Sequence, residues 1–423
     1  MSKYFLFVAL LYAAGAAGQT GDPAVDKTLN AFSKYYASDA TDSIYGLFND
    51  RMKHAVTEEN WRQTFPQIKS RIGSIGKFIS NGKGQGYTNF IAPGTVDSMN
   101  LLLSLDSSSL IQGLFIRPGK QAGTSYHTNY KIDTDDGQLA GEMLIPPHTG
   151  RKIPVALIIA GSGPTDRNGN NIIGVKAQPY KMLAEALAKN GIATLRYDKR
   201  YVGESIGFKK KLDSLRFEDL VGDAEACIKK LKVDSNFSTV TVIGHSEGAL
   251  IGTIAARKEK ADGFVSLAGV GENAVSVLKR QLSTSLPPQS MATVTSWLDS
   301  LRKGYRVTVP ANSPVSSLFL PTVQTYMTSW FQYDPAHEIA KLKMPVLIIQ
   351  GLTDLQVTRQ DAEKLKAAAP KASLVLIDSM NHVLKDAPAE RSQNMAAYTN
   401  EQLPLDKELI RTIVEFINEE KTR

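Results

Sequence analysis

Residues 238–258, Ser-Thr-Val-Thr-Val-Ile-Gly-His-Ser-Glu-Gly-Ala-Leu-Ile-Gly-Thr-Ile-Ala-Ala-Arg-Lys, decide the fold. Val240, Val242 and Ile243 form a β-branched run that reads as a buried strand. Gly244-His245-Ser246-Glu247-Gly248 follows, and then a small-residue segment, Ala249 to Ala256, that reads as a helix. A strand, G-x-S-x-G and a helix in succession make a nucleophile elbow, in which the serine sits in strained backbone at the carboxyl end of a sheet. Strand and helix nearly touch there, so the flanking positions must be small. Gly244 and Gly248 meet that need, and Gly252 lets the helix lie close one turn later. Ser246 is the predicted nucleophile.

A serine hydroxyl needs a base to take its proton, and the base needs an anion to fix its tautomer. The chain order expected around such an elbow is serine, acid, histidine. Downstream, the apolar run Pro345–Gln350 ends in Gly351-Leu352-Thr353-Asp354, and the run Leu374–Ile377 ends in Asp378-Ser379-Met380-Asn381-His382. Asp354 and His382 are therefore the predicted acid and base, both at the sheet edge that holds Ser246. Asp378 is the other candidate acid. His245 points away from its neighbour Ser246 and reads as a packing or hydrogen-bonding residue. His54 and His127 lie outside the catalytic sheet, His148 sits in a turn, and His337 precedes the Asp354 strand. The tetrahedral intermediate needs two N–H donors. Those predicted are the backbones of Glu247 and of Ser162, in the Gly161-Ser162-Gly163-Pro164 loop after the strand Ile153–Ala160. Asp166, Arg167 and Asn168 continue that loop and are expected to order it. This chemistry calls for no metal and no cofactor.

At 423 residues the chain suits two domains. Hydrophobic content is 42% and charged content 22%, an ordinary globular balance. The net charge is +7, but the basic residues are scattered, so no nucleic-acid partner is read from them. Lys3, the apolar stretch Tyr4–Ala14 and Ala16-Ala17-Gly18 read as a signal peptide over residues 1–18, cleaved before Gln19, with an uncleaved anchor as the alternative. The expected location is secreted or periplasmic, and no later segment reads as transmembrane. Cys227 stands alone, excludes an internal disulfide and reads as a buried, inert thiol.

Residues 22–118 read as a small α+β accessory domain. Asp22-Pro23 starts a first helix with Leu29 and Phe32 on one face. Ile44, Leu47, Phe48 and Met52 mark a second. Thr57 caps a third, which carries Trp61 and has Pro66 near its end. Strands are expected at Ile75–Phe78, Tyr87–Ile91, Met99–Leu105 and Leu110–Ile116, separated by Asn-Gly, Pro-Gly and Asp-Ser-Ser-Ser turns. The order resembles the nuclear-transport-factor-like superfamily. A docking module for substrate and a packing domain both fit it. Residues 118–127 read as a linker. From 126 to 423, strands and helices alternate as in an α/β fold with a mostly parallel sheet covered on both faces. A hairpin around Asp135-Asp136-Gly137 opens it. An excursion at about 274–342, with Phe319, Tyr326, Trp330, Phe331 and Tyr333, reads as a helical cap.

Residues 126–420 resemble the α/β-hydrolase superfamily. Ala-Gly-Ser-Gly-Pro-Thr-Asp-Arg at 160–167, Arg-Tyr-Asp-Lys-Arg at 196–200 and Gly-His-Ser-x-Gly at 244–248 are similar to secreted bacterial serine hydrolases with an amino-terminal accessory domain, among them carboxylesterases of the EstD type. The loop from Asp198 departs from the D-x-R-G-x-G-x-S pattern at Tyr201, where that pattern has glycine. The resemblance implies hydrolysis of short-chain acyl esters through an acyl-enzyme, on a small-molecule or polymer-linked substrate. The alternative is a peptidase on the same scaffold, which needs an acid to hold the substrate amine; Glu247 and Glu338 are the acids considered. A binding protein on an inactive hydrolase scaffold is a third reading, against which the intact serine, acid and histidine order counts.

Overall fold

The structure is a computed structural model that describes residues 23–420, apart from 77, 85, 93, 95–96, 122–125, 147–151 and 173. The signal-peptide reading at residues 1–18 and His148 lie outside the described residues. The described residues fall into two compact units, one within residues 23–129 with 145–146 and one within residues 130–144 with 152–420.

In the first unit, α1 (Pro23–Ala37), α2 (Thr41–Tyr45), α3 (Asp50–Ala55) and α4 (Glu58–Ile72) precede a four-stranded sheet in the order β1-β2-β3-β4. Its strands are β1 (Ile79–Gly84), β2 (Tyr87–Ala92), β3 (Asp97–Leu105) and β4 (Ile111–Gln121). Leu29, Phe32 and Tyr36 of α1 and Trp61, Phe65 and Ile72 of α4 lie at helical spacing, and all are buried with Phe90, Met99, Leu101 and Leu114 of the sheet.

Several local expectations differ from what forms. The helix expected around Ile44–Met52 is two helices. Residues 47–49 pair with Ile111 through Ile111 N–H to Leu47 O at 2.8 Å and Asn49 N–H to Ile111 O at 3.0 Å. Asn49 then caps α3 by accepting from Met52 N–H at 3.0 Å. Helix α4 runs through Pro66 to Ile72, because Phe65 and Ile72 on either side of the proline are both buried. The first strand begins at Ile79, and Ile75 makes an isolated bridge to Gly94. Asn81-Gly82 is not the turn. It lies in the register shift between Ser80 and Lys83, and the chain reverses between Gly84 and Tyr87. The expected linker is shorter than 118–127, since β4 reaches Gln121 and the next strand starts at Tyr126.

An eight-stranded sheet, in the order β12-β11-β10-β9-β7-β8-β6-β5, dominates the second unit. The hairpin strands β5 (Tyr126–Asp133) and β6 (Gln138–Ile145) close through Thr134 N–H to Gly137 O at 2.9 Å. Strands β7 (Ile153–Ile159), β8 (Ala193–Tyr197), β9 (Phe237–His245), β10 (Gly263–Leu267), β11 (Val346–Gly351) and β12 (Ser373–Ile377) run parallel. Every residue of β7 is buried, as a strand covered on both faces requires. Between strands run α5 (Pro179–Lys189), α6 (Phe217–Val233) and α7 (Glu247–Glu259).

After β10 come α8 (Ala274–Ser283), α9 (Pro288–Arg302), α10 (Pro321–Trp330) and α11 (Pro335–Ile339), and after β11 comes α12 (Arg359–Ala368). Helices α13 (Arg391–Ala396) and α14 (Lys407–Glu420) finish the chain. Leu409, Ile413 and Ile417 of α14, one turn apart, are fully buried against the central sheet residues. The excursion after β10 has its own core, in which Phe319 and Phe331 join Val294, Leu298 and Leu301. No helix among the described residues is long and apolar enough to cross a membrane.

Candidate active site

The elbow forms where β9 meets α7. Ser246 has φ 55° and ψ −121°, a region costly for any residue with a side chain. Its N–H donates to Leu267 O at 3.0 Å, which anchors the strained residue to β10. A Cβ on Gly244 would lie 2.3 Å from Gly248 O, and one on Gly248 would lie 2.4 Å from Ile159 O. Both glycines are thus required by close backbone approach, as the sequence predicts. Cys227 is buried on α6, and burial pushes its thiol pKa up.

Asp354 and His382 leave the neighbouring strands β11 and β12 and meet at that sheet edge. His382 Nδ1 and Asp354 Oδ2 are 2.7 Å apart. The carboxylate also accepts Gln356 N–H at 2.7 Å and Val357 N–H at 3.0 Å on Oδ1. Burial opposes ionisation of Asp354, but the His382 ring and these two N–H groups outweigh it and hold its pKa below the usual range. The two loops are joined through Thr353, which donates from Oγ1 to Ser379 O at 2.9 Å. Asp378 is exposed, and His382 takes Asp354 as its partner. His54 lies on α3 and His337 on α11, both exposed, and His127 lies on β5.

The loop after β7 passes beside Ser246: a Cβ on Gly161 would lie 3.2 Å from Ser246 Cβ. Ser162 is the next residue, exposed, with its N–H unpartnered among the described residues. Glu247 opens α7, where helix geometry leaves the N–H without an intrahelical acceptor. The expected ordering contacts are present. Arg167 donates from Nε to Asp198 Oδ1 at 3.0 Å and from Nη2 to Asp198 Oδ2 at 2.6 Å. Asp166 Oδ1 accepts Asn168 N–H at 2.8 Å and Asn170 N–H at 2.9 Å. Arg196, buried beneath, pairs with Glu142 and Asn168. Tyr201, which replaces the glycine of the expected pattern, has φ 64°. Its hydroxyl donates to Lys210 O at 2.6 Å, which ties the unusual residue down.

A family model described as serine aminopeptidase, S33, matches residues 173–386, just over half of the 423-residue chain. The chain belongs to this family. Its parallel sheet, elbow and strand order are those of an α/β-hydrolase. Esterase EstD of Thermotoga maritima is 25% identical over 394 residues, which cover 87% of this chain and 91% of the relative. Est1E of Butyrivibrio proteoclasticus, solved with ferulic acid, is 17% identical with a TM-score of 0.47, covering 70% of this chain and all of its own. An esterase of Pyrococcus furiosus is 18% identical with a TM-score of 0.45, covering 70% of this chain and 91% of its own.

Around the S33-family elbow, three residues go beyond the sequence reading: Tyr180, Lys199 and Tyr326. Tyr180 on α5 accepts Gly161 N–H at 3.1 Å and bonds His245 Nδ1 at 2.8 Å. His245 Nε2 then donates to His382 O at 2.9 Å. His245 is therefore a hydrogen-bonding residue, as expected, with a wider reach: it ties the Gly161 loop to the His382 loop. No short motif announces a tyrosine on a separate helix. Its one sequence trace is the Pro179-Tyr180 helix start. Glu247, whose backbone the sequence selected, also uses its carboxylate: Lys199 Nζ lies 3.0 Å from Oε2, and Tyr326 Oη donates to Oε1 at 2.6 Å.

His245 carries a pH dependence. Burial pushes its pKa down to about 3, with help from the adjacent His382 ring, against 6.5 when exposed. The folded protein thus keeps it neutral, while the unfolded chain protonates it below pH 6.5. The stability this gives is fully present above that pH and is lost as pH falls toward about 3. His245→Asn is expected to reduce the slope of unfolding free energy against pH in this window by about 1.4 kcal/mol per unit. Urea titrations at several pH values would measure it, and parallel curves for parent and variant would refute it.

Proposed function

We propose that this hydrolase cleaves carboxylic esters, of short acyl chains in particular, through an acyl-enzyme. The observation that carries the reading is the pairing of buried Asp354 with His382 at the sheet edge where Ser246 occupies a strained elbow. Asp354 holds the Nδ1–H of His382, which leaves Nε2 as the base. Ser246 Oγ attacks the ester carbonyl while its proton passes to His382 Nε2. The backbone N–H groups of Ser162 and Glu247 receive the oxyanion. The protonated imidazole then gives its proton to the departing alkoxide, and the alcohol leaves. Water, deprotonated by the same nitrogen, releases the acid and frees Ser246. The EstD relative supports the ester class.

The family's description keeps a peptidase as the second reading. The acids considered for holding a substrate amine are both engaged. Glu247 is bonded to Lys199 and Tyr326. Glu338 bonds Lys341 at 2.7 Å and faces Arg257 at 3.8 Å. This favours the esterase. The test is kcat/KM on p-nitrophenyl esters from acetyl to octanoyl beside aminoacyl p-nitroanilides. Fast ester turnover that falls with chain length, with inert anilides, is expected. Anilide turnover that requires a free amine would overturn it. The apolar Tyr4–Ala14 stretch between Lys3 and Ala16-Ala17-Gly18 supports export to the periplasm or beyond.

A further inference from the structure

The peptide between Gly161 and Ser162 is gripped by groups that the reaction scheme does not use. Lys199 is buried in the loop after β8, and its ammonium has two acceptors. One is the Gly161 carbonyl at 2.9 Å, the other Glu247 Oε2 at 3.0 Å. Glu247 is buried too, and its second oxygen accepts from Tyr326 Oη on α10 at 2.6 Å. On the other side of the same glycine, Gly161 N–H donates to Tyr180 Oη at 3.1 Å.

Bringing an ammonium and a carboxylate out of water is a costly way to join two side chains. An apolar pair of the same volume would pack as well. It would not, however, bond the Gly161 carbonyl. That carbonyl and the Ser162 N–H belong to one planar peptide and point in opposite directions. Whatever fixes the carbonyl fixes the direction of the N–H. A charge-assisted bond is stronger than a neutral one, and it polarises the amide so that its N–H becomes a better donor. Gly161 has no side chain to steady the plane, and a Cβ there would sit tightly, 3.2 Å from Ser246 Cβ.

We propose that Lys199, held by Glu247, is the positioning residue of the oxyanion hole: through the Gly161 carbonyl it aims and polarises the Ser162 N–H. The proposal rests on the Ser246 esterase reading. Glu247 then serves twice, its backbone N–H facing the oxyanion and its carboxylate holding the lysine. Tyr326 extends the brace to α10. A donor aimed at the developing oxyanion acts on the transition state more than on the bound ester. Its loss should therefore lower kcat and spare KM.

The test is the double variant Lys199→Met with Glu247→Gln, which leaves no buried charge unpaired. With p-nitrophenyl acetate, kcat is expected to fall about 10- to 100-fold while KM stays within about twofold, less than the loss of a whole oxyanion donor. Trifluoromethyl ketones form a hemiketal oxyanion on the serine, and their Ki should rise by the same factor. A merely structural lysine would lower the melting temperature and the titratable active fraction but leave Ki unchanged, and that result overturns the proposal. Should the double variant not fold, Lys199→Gln keeps a neutral donor near Gly161. It is expected to show a smaller parallel change in kcat and Ki, and an unchanged Ki overturns the proposal there too. Ser246→Ala is measured beside them. If it retains turnover, the Ser246 acyl-enzyme reading on which the proposal rests fails. If it is inactive while the Lys199 variants keep the parent Ki, the positioning role fails alone.

Discussion

Ser246→Ala is expected to lower kcat on p-nitrophenyl acetate by about five to six orders of magnitude while the protein stays folded. The size follows from the covalent step: without Oγ no acyl-enzyme forms, and the surviving N–H donors and His382 act on a bound ester with no nucleophile. The fold should survive because the elbow does not depend on the hydroxyl. Ser246 is anchored by its backbone N–H to Leu267 O, and its shape is enforced by the contacts of Gly244 and Gly248. The strain at φ 55° remains with alanine, since alanine also has a Cβ. Glycine tolerates that backbone, so Ser246→Gly should be as inactive yet more stable than Ser246→Ala by about 1 kcal/mol. Turnover assays with thermal unfolding of all three proteins check both statements. Activity within tenfold of the parent in either variant would remove Ser246 from the mechanism.

The sheet was legible because its signals are local and periodic. Strand β7 is a run of apolar residues, and β9, the elbow and α7 follow one another without a gap. Asp354 and His382 were legible for a topological reason: on parallel strands, residues that follow strand ends gather at one edge. The errors lie where one residue's fate depends on a distant partner. Leu47 and Phe48 fit a helical pattern, yet their backbone pairs with Ile111. Asn81-Gly82 has turn composition but lies at a register shift that only the partner strand defines. Tyr180, Lys199 and Tyr326 escaped for the same reason. Each lies on a different element, and only packing brings Tyr180 to His245 or Tyr326 to Glu247. Of the aromatics in the excursion after β10, Phe319 and Phe331 lie in its own core, with Trp330 packed against it. Tyr333 instead donates to Glu218 Oε1 at 3.0 Å on α6.

Asp354→Asn is expected to lower kcat by about four orders of magnitude, with KM and melting temperature little changed. The amide is nearly the same size as the carboxylate, and its orientation is dictated by the surroundings. Oδ1 of Asp354 accepts both Gln356 N–H and Val357 N–H. An asparagine must keep its oxygen there, because an NH2 group facing two N–H donors would leave three donors without an acceptor. The NH2 group then takes the place of Oδ2, 2.7 Å from His382 Nδ1 and 3.3 Å from Gln350 Nε2, which keeps the Gly351 and Val357 carbonyls as its acceptors. An NH2 group is a donor only, so His382 must accept at Nδ1 and carry its proton on Nε2. That tautomer has no lone pair for the Ser246 proton, and the base is lost while the ring stays in place. The variant also removes the negative charge that would stabilise the imidazolium during attack. Two measurements separate this from simple disruption. The melting temperature should lie within a few degrees of the parent, because both backbone bonds to Oδ1 persist. Imidazole nitrogen shifts should report the proton on Nε2 in the variant and on Nδ1 in the parent. A variant with parent tautomer and a rate within tenfold of the parent would show that Asp354 neither orients nor charges the base.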